Sequence, residues 1–260
     1  MTAVADIIAA VAAYAPPQYQ ESWDNSGVQV GDVSAPCTGV MTCVDVTPGV
    51  VREAAAAGCN LVLAHHPLIF KGLRTLTGAT EVERAVIEAV RLGVCVYSAH
   101  TSLDSTRGGI SHEMAARLGA GVTGVLAPSA ADPAVGLGVV AELPDALGRD
   151  EFLRLCTRVY GCPHPRASRS DAGTVRRVAL CGGSGGEFIP RAVAAGAQAY
   201  VTADIRYHDF VDHGEEILLV DVGHYESEQC ANDIFMRIVT EKFPNFAVHK
   251  SKQHNPIQYI

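Results

Sequence analysis

No two cysteines in this 260-residue chain stand in Cys-x-x-Cys spacing, although there are eight: Cys37, Cys43, Cys59, Cys95, Cys156, Cys162, Cys181 and Cys230. Most lie in apolar stretches. That suits reduced, packed thiols in a cytoplasmic chain and argues against a disulfide framework. No apolar run reaches the length of a membrane span. The opening, MTAVADIIAAVAAYAPP, contains Asp6 and lacks a basic n-region, so an amphipathic first helix is expected there and not a signal peptide. Basic residues are the minority: 20 Lys and Arg against 28 Asp and Glu give a net charge of −8 and a pI near 5.6. Nucleic acids and anionic membrane surfaces call for a basic face, so neither is an expected partner. An acidic chain instead concentrates cations. A Walker-type Gly-Lys-Ser/Thr is missing, and so is any short-period repeat.

What the chain does have is apolar mass. Hydrophobic residues make up 48 %, enough for a sizeable core in one large domain or two interlocked halves. Strand-like and helix-like segments alternate. TGVMTCVDV (Thr38–Val46) reads as a strand, and TPGVVREAAAAG (Thr47–Gly58) as a helix with Thr47 at the N-cap, Pro48 at its first position and Gly58 as its stop. CNLVLAHH (Cys59–His66) is the next strand. TEVERAVIEAVRLG (Thr80–Gly93) is a helix with Thr80 and Glu83 in capping-box spacing. VCVYSAH (Val94–His100) and GGISHEMAARLG (Gly108–Gly119) continue the series. Ala120–Leu147 is rich in Gly, Ala and Pro and is expected to join the halves, taken as residues 1–125 and 126–260. Beyond it the pattern resumes, through TVRRVALCGG, GEFIPRAVAAGA, AYVTADI, EEILLVDVGH and ESEQCANDIFMRIVTEKF to a last strand, FAVHKSKQ. The expected fold class is α/β: two interlinked βαβ-type halves with largely parallel or mixed sheets, and a metal site at strand C-terminal ends between the halves.

Ligand-type residues gather where such strands end. His65-His66 closes one, His100 and Asp104 follow another, and Asp221, His224, Glu226 and Glu228 follow a third. Adjacent strand residues point to opposite faces, so His65 and His66 each suit a different ion. Two-metal sites hold their ions about 3.5–4 Å apart, with imidazoles as terminal ligands and a carboxylate as bridge. His224 and Glu228 are four apart and share a face if a helix follows Gly223, with Tyr225 or Ser227 shaping that turn. Each feature has a plainer reading: a lone histidine packs and hydrogen-bonds, Asp104 caps the following helix, and His-x-x-x-Glu is common on helix faces. All three at strand ends together favour metal.

These segments also carry a resemblance. LAHHPLIFKG, SAHTSLD and VDVGHYESE, with WDNSGVQVG, ALCGGSGGE and the ending NPIQYI, resemble the signature segments of the Nif-three-like proteins, also called GTP cyclohydrolase 1 type 2 homologues. The likeness spans nearly the whole chain. It implies an α/β fold, a ring-shaped homohexamer with an inner cavity, and a dinuclear metal centre. The implied ligands are His65, His66, Asp104, His224 and Glu228, with Glu228 bridging two divalent ions per subunit. Mixed imidazole and carboxylate ligands admit Zn, Mn, Fe or Ni. Ser102 stands where relatives usually have Asn, and the large middle insertion of some relatives is absent.

Around that set, His100 and His208 are the candidate catalytic histidines; His100 alternatively orients a ligand or simply packs, and His208 alternatively lies on the surface. Trp23, Asp24 and Asn25 line the cavity, or Trp23 belongs to the core. CGGSGG (Cys181–Gly186) cradles an anion or makes a tight strand-to-helix turn. Lys71 and Arg74 attract phosphate or are solvated loop charges. The resulting expectation is a metal-dependent hydrolase acting on a small molecule, a nucleotide such as GTP or a phosphoester. The alternative is a non-catalytic ring-forming scaffold or metal carrier.

Overall fold

The structure is a computed structural model and describes residues 2–130, 132–170 and 173–260. The elements in chain order begin with α1 (Val4–Tyr14), β1 (Gly27–Val30), β2 (Val40–Cys43), α2 (Pro48–Ala56), β3 (Leu61–Ala64), α3 (Glu81–Leu92), β4 (Cys95–Ser98) and α4 (Thr101–Ser105). There follow α5 (Ile110–Arg117), β5 (Gly121–Pro128), β6 (Gly136–Gly148), α6 (Arg149–Tyr160), β7 (Arg166–Ala167) and β8 (Thr174–Ser184). The chain closes with α7 (Ile189–Ala194), β9 (Ala199–Ala203), α8 (Tyr207–His213), β10 (Leu218–Asp221), α9 (His224–Glu228), α10 (Cys230–Lys242) and β11 (Val248–Lys250). No helix among the described residues is long and apolar enough to cross a membrane.

The chain divides into two compact units. The first comprises Met1–Thr106 and Ala231–His254; the second, Arg107–Cys230 and Asn255–Ile260. The sequence places one boundary after residue 125, a point that falls inside β5 of the second unit. The Ala120–Leu147 stretch is not a connector. It holds β5 and β6, paired antiparallel from Gly121↔Glu142 to Pro128↔Gly136.

The first unit is built on a five-stranded sheet ordered β1-β4-β3-β2-β11. The pairs β4–β3, β3–β2 and β2–β11 are parallel, and β1 lies antiparallel on β4. Every residue of β2, β3 and β4 is buried, so both faces of these parallel strands are covered and their sequences have no reason to alternate. Met41, Val62, Val96, Val51, Val86 and Ala89 pack together as part of one core. The helix signals hold locally. Thr47 Oγ1 accepts from Val50 N at 3.2 Å, Pro48 opens α2, and Gly58 beyond it takes the left-handed φ of +74° that a stop at that point demands. The Thr80–Glu83 capping box is only half made. Thr80 Oγ1 accepts from Glu83 N at 3.2 Å, but the Glu83 carboxylate accepts from Thr77 N, Thr77 Oγ1 and Ala79 N. It ties down the preceding loop and not its own N-cap.

In register, Cys43 pairs with Ala64 and Ala64 with Ser98, so β2, β3 and β4 end level. Whatever follows each strand emerges at a single edge: Asp45 after β2, His65 and His66 after β3, His100 and Asp104 after β4.

The second unit holds a six-stranded sheet ordered β5-β6-β8-β9-β10-β7. Its β8, β9 and β10 are parallel, and the rest pair antiparallel. Leu180 pairs with Val201 and Val201 with Val220, which brings Asp204 after β9 and His224 after β10 out at one edge. Ala179, Tyr200, Leu219, Ile189 and Ala192 form its core. All eight cysteines are buried, and no disulfide occurs among the described residues.

Candidate metal-ligand clusters

In the first unit the doublet falls where the chain leaves the sheet. β3 ends at Ala64, and His65 and His66 turn over the strand end ahead of Pro67. His65 is fully buried, and the rings of the two histidines lie 5.0 Å apart, tilted by 41°. His100 joins them from the end of β4, its ring 5.4 Å from each. The ligand atoms of His65, His66 and His100 all lie within 4.8 Å of one another, so these three could hold a metal ion. Asp104, one turn into α4, approaches from the side, its Oδ1 3.8 Å from His65 Nε2. That is too long for a hydrogen bond. It is the span of two ligands sharing one ion, each at about 2.0–2.2 Å from it. Asp104 is not the cap of the next helix; α5 starts after Gly109, with no side-chain cap.

A second set of contacts decides which nitrogen each ring presents. His65 Nδ1 bonds the Ala99 carbonyl at 3.2 Å, His66 Nδ1 bonds Asp45 Oδ1 at 2.7 Å, and His100 Nδ1 bonds Asp24 Oδ1 at 2.8 Å. Each bond places the proton on Nδ1 and makes Nε2 the lone-pair nitrogen, as in metal sites whose ligating imidazoles donate outward to an oxygen. Asp24 is the most heavily engaged of these partners. Its fully buried carboxylate also accepts from Asn25 N, Ser26 Oγ, Thr101 N and Thr101 Oγ1. Burial alone would raise its pKa, but the hydrogen bonds from His100 and Thr101 outweigh that and hold the acid well below the ordinary carboxylate range.

In the second unit, Gly223 takes φ +83° and starts α9, whose single turn carries His224 and Glu228 on one face. Their Nε2 and Oε2 are 3.0 Å apart, as the four-residue spacing leads one to expect. Ser227 fixes the turn: its Oγ donates to His224 O at 2.8 Å and accepts from Gly183 N at 3.0 Å. His224 Nδ1 bonds Asp204 Oδ2 at 2.7 Å. Asp204 is the one non-glycine residue with positive φ among the described residues, at +54°, a conformation that Asp tolerates better than most. That backbone turns its carboxylate onto the histidine. Burial would lower the His224 pKa, but the bonds to Asp204 and Glu228 outweigh it and lift the imidazole to about 11, while the same bond lowers Asp204.

The glycine-rich segment has a steric purpose here. A Cβ on Gly183, where φ is +61°, would sit 2.1 Å from Glu228 Oε1. The absent side chain is the space in which the Glu228 carboxylate lies.

Other candidates sort differently. Asp221 bonds Arg166, Ile205 N and Gly223 N, and Glu226 accepts from Asn255 Nδ2 at 2.7 Å; both brace the loop. His208 is exposed on α8 beside Tyr207, and Lys71 and Arg74 are exposed. Trp23 is 57 % exposed, which removes the core-packing reading. Sequence reasoning assigned nothing to Asp45 and Asp204. Each is an acid placed one or two residues past an apolar strand end, and that position is the signal that could have found them.

The sequence profile of the Duf34/NIF3 (NGG1p interacting factor 3) family matches residues 2–256. A Clostridium perfringens protein named GTP cyclohydrolase 1 type 2 homolog is 33 % identical over 224 residues, covering 86 % of each chain. Its namesake in Clostridium acetobutylicum is 31 % identical over 259 residues, covering 98 % of this chain and 94 % of that one. The crystal structure of Staphylococcus aureus protein SA1388 superimposes with a TM-score of 0.91 at 26 % identity, over 100 % of this chain and 99 % of that one.

Proposed function

Because the chain belongs to the Duf34/NIF3 (NGG1p interacting factor 3) family, we propose that it is a divalent-metal-dependent hydrolase of small molecules, nucleotides or phosphoesters among them. In this reading, as the family resemblance implies, His65, His66, Asp104, His224 and Glu228 would be the ligands of two divalent ions, with Glu228 as the bridge. The homohexamer implied by the family resemblance is part of the same proposal. The observation that supports it is the outward engagement of every candidate imidazole through Nδ1, by Ala99 O, Asp45, Asp24 and Asp204, which turns Nε2 into the ligand atom. His100 has the same arrangement and lies with His65 and His66, so it adds a ligand or holds a proton at the edge of the cluster. Bound divalent ions would supply a water of lowered pKa and a Lewis acid. The protein supplies fixed imidazoles and buried carboxylates.

The test is elemental analysis of the purified protein, followed by a screen of nucleotides and phosphoesters with and without chelator. Bound metal and chelator-sensitive turnover that disappears in Glu228→Ala are expected. Tight metal binding without turnover across the screen would favour a carrier or scaffold instead. A His65→Ala variant that keeps its full metal content would count against both.

Two further results follow from the imidazole contacts. Asp204→Ala is expected to weaken metal binding about 10–100-fold, because the ring loses its orienting acceptor. Asp204→Asn, which tolerates the same φ and retains an oxygen, should lose less; equal losses in competition titrations would refute the orienting role. In the metal-free protein the bonds to Asp204 and Glu228 raise the His224 pKa above its ordinary value, so an arriving ion must displace a proton. Metal affinity at this position therefore rises with pH across the neutral range, and a flat profile would contradict the assignment.

A further inference from the structure

Two of the large exposed side chains stand beside the histidine cluster of the first unit. Trp23 is 57 % exposed and Phe70 is 47 % exposed. Their ring centroids are 6.1 Å apart, and they lie 6.1 Å and 6.2 Å from that of His100. The three rings meet at 60°, 73° and 79°, so none is stacked in parallel on another. Exposed aromatic rings grouped beside polar side chains are the form that ligand-recognition surfaces take.

The backbones that carry the two rings are also held in place. Trp23 precedes Asp24, whose carboxylate is pinned by His100, Ser26 and Thr101. Asn25 Nδ2 donates to Ile69 O at 2.6 Å, and Gln29 Oε1 accepts from Ile69 N at 3.0 Å. These bonds staple the Trp23 segment to the chain just before Phe70. Two large side chains that could have swung free are thereby anchored at their backbones, next to His100. Such preorganisation lowers the ordering cost of binding a flat ligand.

We propose that Trp23 and Phe70 form a stacking platform for a planar heteroaromatic ring, of the nucleobase type, that holds the rest of a substrate against the His65–His66–His100 cluster. The spacing defines the mode. A 6.1 Å separation at 60° leaves no slot between two parallel walls, so the ring lies on one aromatic face and meets the other at its edge. The inference deepens the hydrolase reading and takes its direction from it, since the cluster is where the reacting bond would lie.

Trp23 is the single tryptophan of the chain, so its emission reports on this platform and on nothing else. The experiment titrates guanosine, GTP and, as a control without a base, ribose 5-phosphate into the full-length protein, once loaded with manganese and once treated with chelator. Saturable quenching by guanosine and GTP, with none from ribose 5-phosphate, is expected. Phe70→Ala should weaken that binding about ten- to a hundredfold while leaving the metal content intact. A metal-loaded protein in which neither compound quenches overturns the platform and leaves the metal centre standing. Quenching by a protein that takes up no manganese on loading supports the platform and overturns the metal-dependent hydrolase reading, whereas quenching after chelator treatment of a protein that does take it up supports the platform alone. Blue-shifted emission shielded from acrylamide before any ligand is added would show that a second copy of the chain covers Trp23, and would also overturn it.

Discussion

Asp24→Ala is expected to destabilise the first unit by about 3–5 kcal/mol, a large share of the roughly 5–15 kcal/mol that holds a domain together. The side chain is fully buried, and all its contacts are donors: Asn25 N, Ser26 Oγ, His100 Nδ1, Thr101 N and Thr101 Oγ1. Alanine strands those groups without an acceptor, and each buried orphan costs about 1–3 kcal/mol where water cannot reach it. Asp24→Asn repairs only part of this, because its NH2 must face a donor. Urea unfolding at pH 7 measures the difference. The sign of its pH dependence is fixed. A carboxylate held below its ordinary value of 3.8 stabilises the fold above that pH, and the contribution is lost as pH falls through the folded value. The gap between wild type and Asp24→Ala should therefore be full at neutral pH and start to close below 3.8. A gap that widens in acid would show that the Asp24 bonds are not what stabilises this region.

Gly183→Ala is expected to weaken metal binding at the proposed His224–Glu228 ligand pair at least tenfold, while costing little stability beyond the strain of its backbone. Its natural control is Gly58→Ala. Both glycines have positive φ, +61° and +74°, so both substitutions bear the same backbone strain of about 1–2 kcal/mol. They differ in what the new methyl meets. At Gly58 nothing lies within 4 Å; at Gly183 Glu228 Oε1 lies 2.1 Å away. Because that oxygen ends a flexible side chain, the carboxylate can swing aside, and the clash turns into a displaced ligand more than a broken fold. Thermal midpoints of the two variants should agree within a few degrees. Metal content should separate them: close to wild type for Gly58→Ala and reduced at least tenfold in affinity for Gly183→Ala, as for loss of a ligand's support. Two variants with equal metal content would mean that the Glu228 position is irrelevant to binding.

Much of this was legible from the order of residues. Apolar runs that stop at His65, His100 and Asp221 announced buried parallel strands, and the parallel register then brings those ends level. The His224–Glu228 pair followed from a four-residue spacing beyond a glycine, since helical geometry is local. What stayed hidden was pairing between distant segments. Asp45 on His66 and Asp204 on His224 are separated by 21 and 20 residues, and nothing local says which acid meets which ring. The short strand β1 was missed for a similar reason: its burial comes mainly from β4, about seventy residues away, and not from its own alternation. Ala120–Leu147 was misread because glycine and proline suggested a connector, while β5 and β6 are the kind of long antiparallel pair that admits glycine where strands come close.

The edge strand β11 belongs to the first unit's sheet yet is encoded by Val248–Lys250, beyond the whole of the second unit's six strands. On a ribosome, β2 must wait until all six strands of the second unit have been made before it receives its neighbour. Until then β2 presents an unpaired edge of apolar residues, a template for pairing with other nascent chains. A fragment ending at Thr106 would carry that open edge permanently and should aggregate on expression. Adding residues 231–254 in trans, as a synthetic peptide, should restore its solubility.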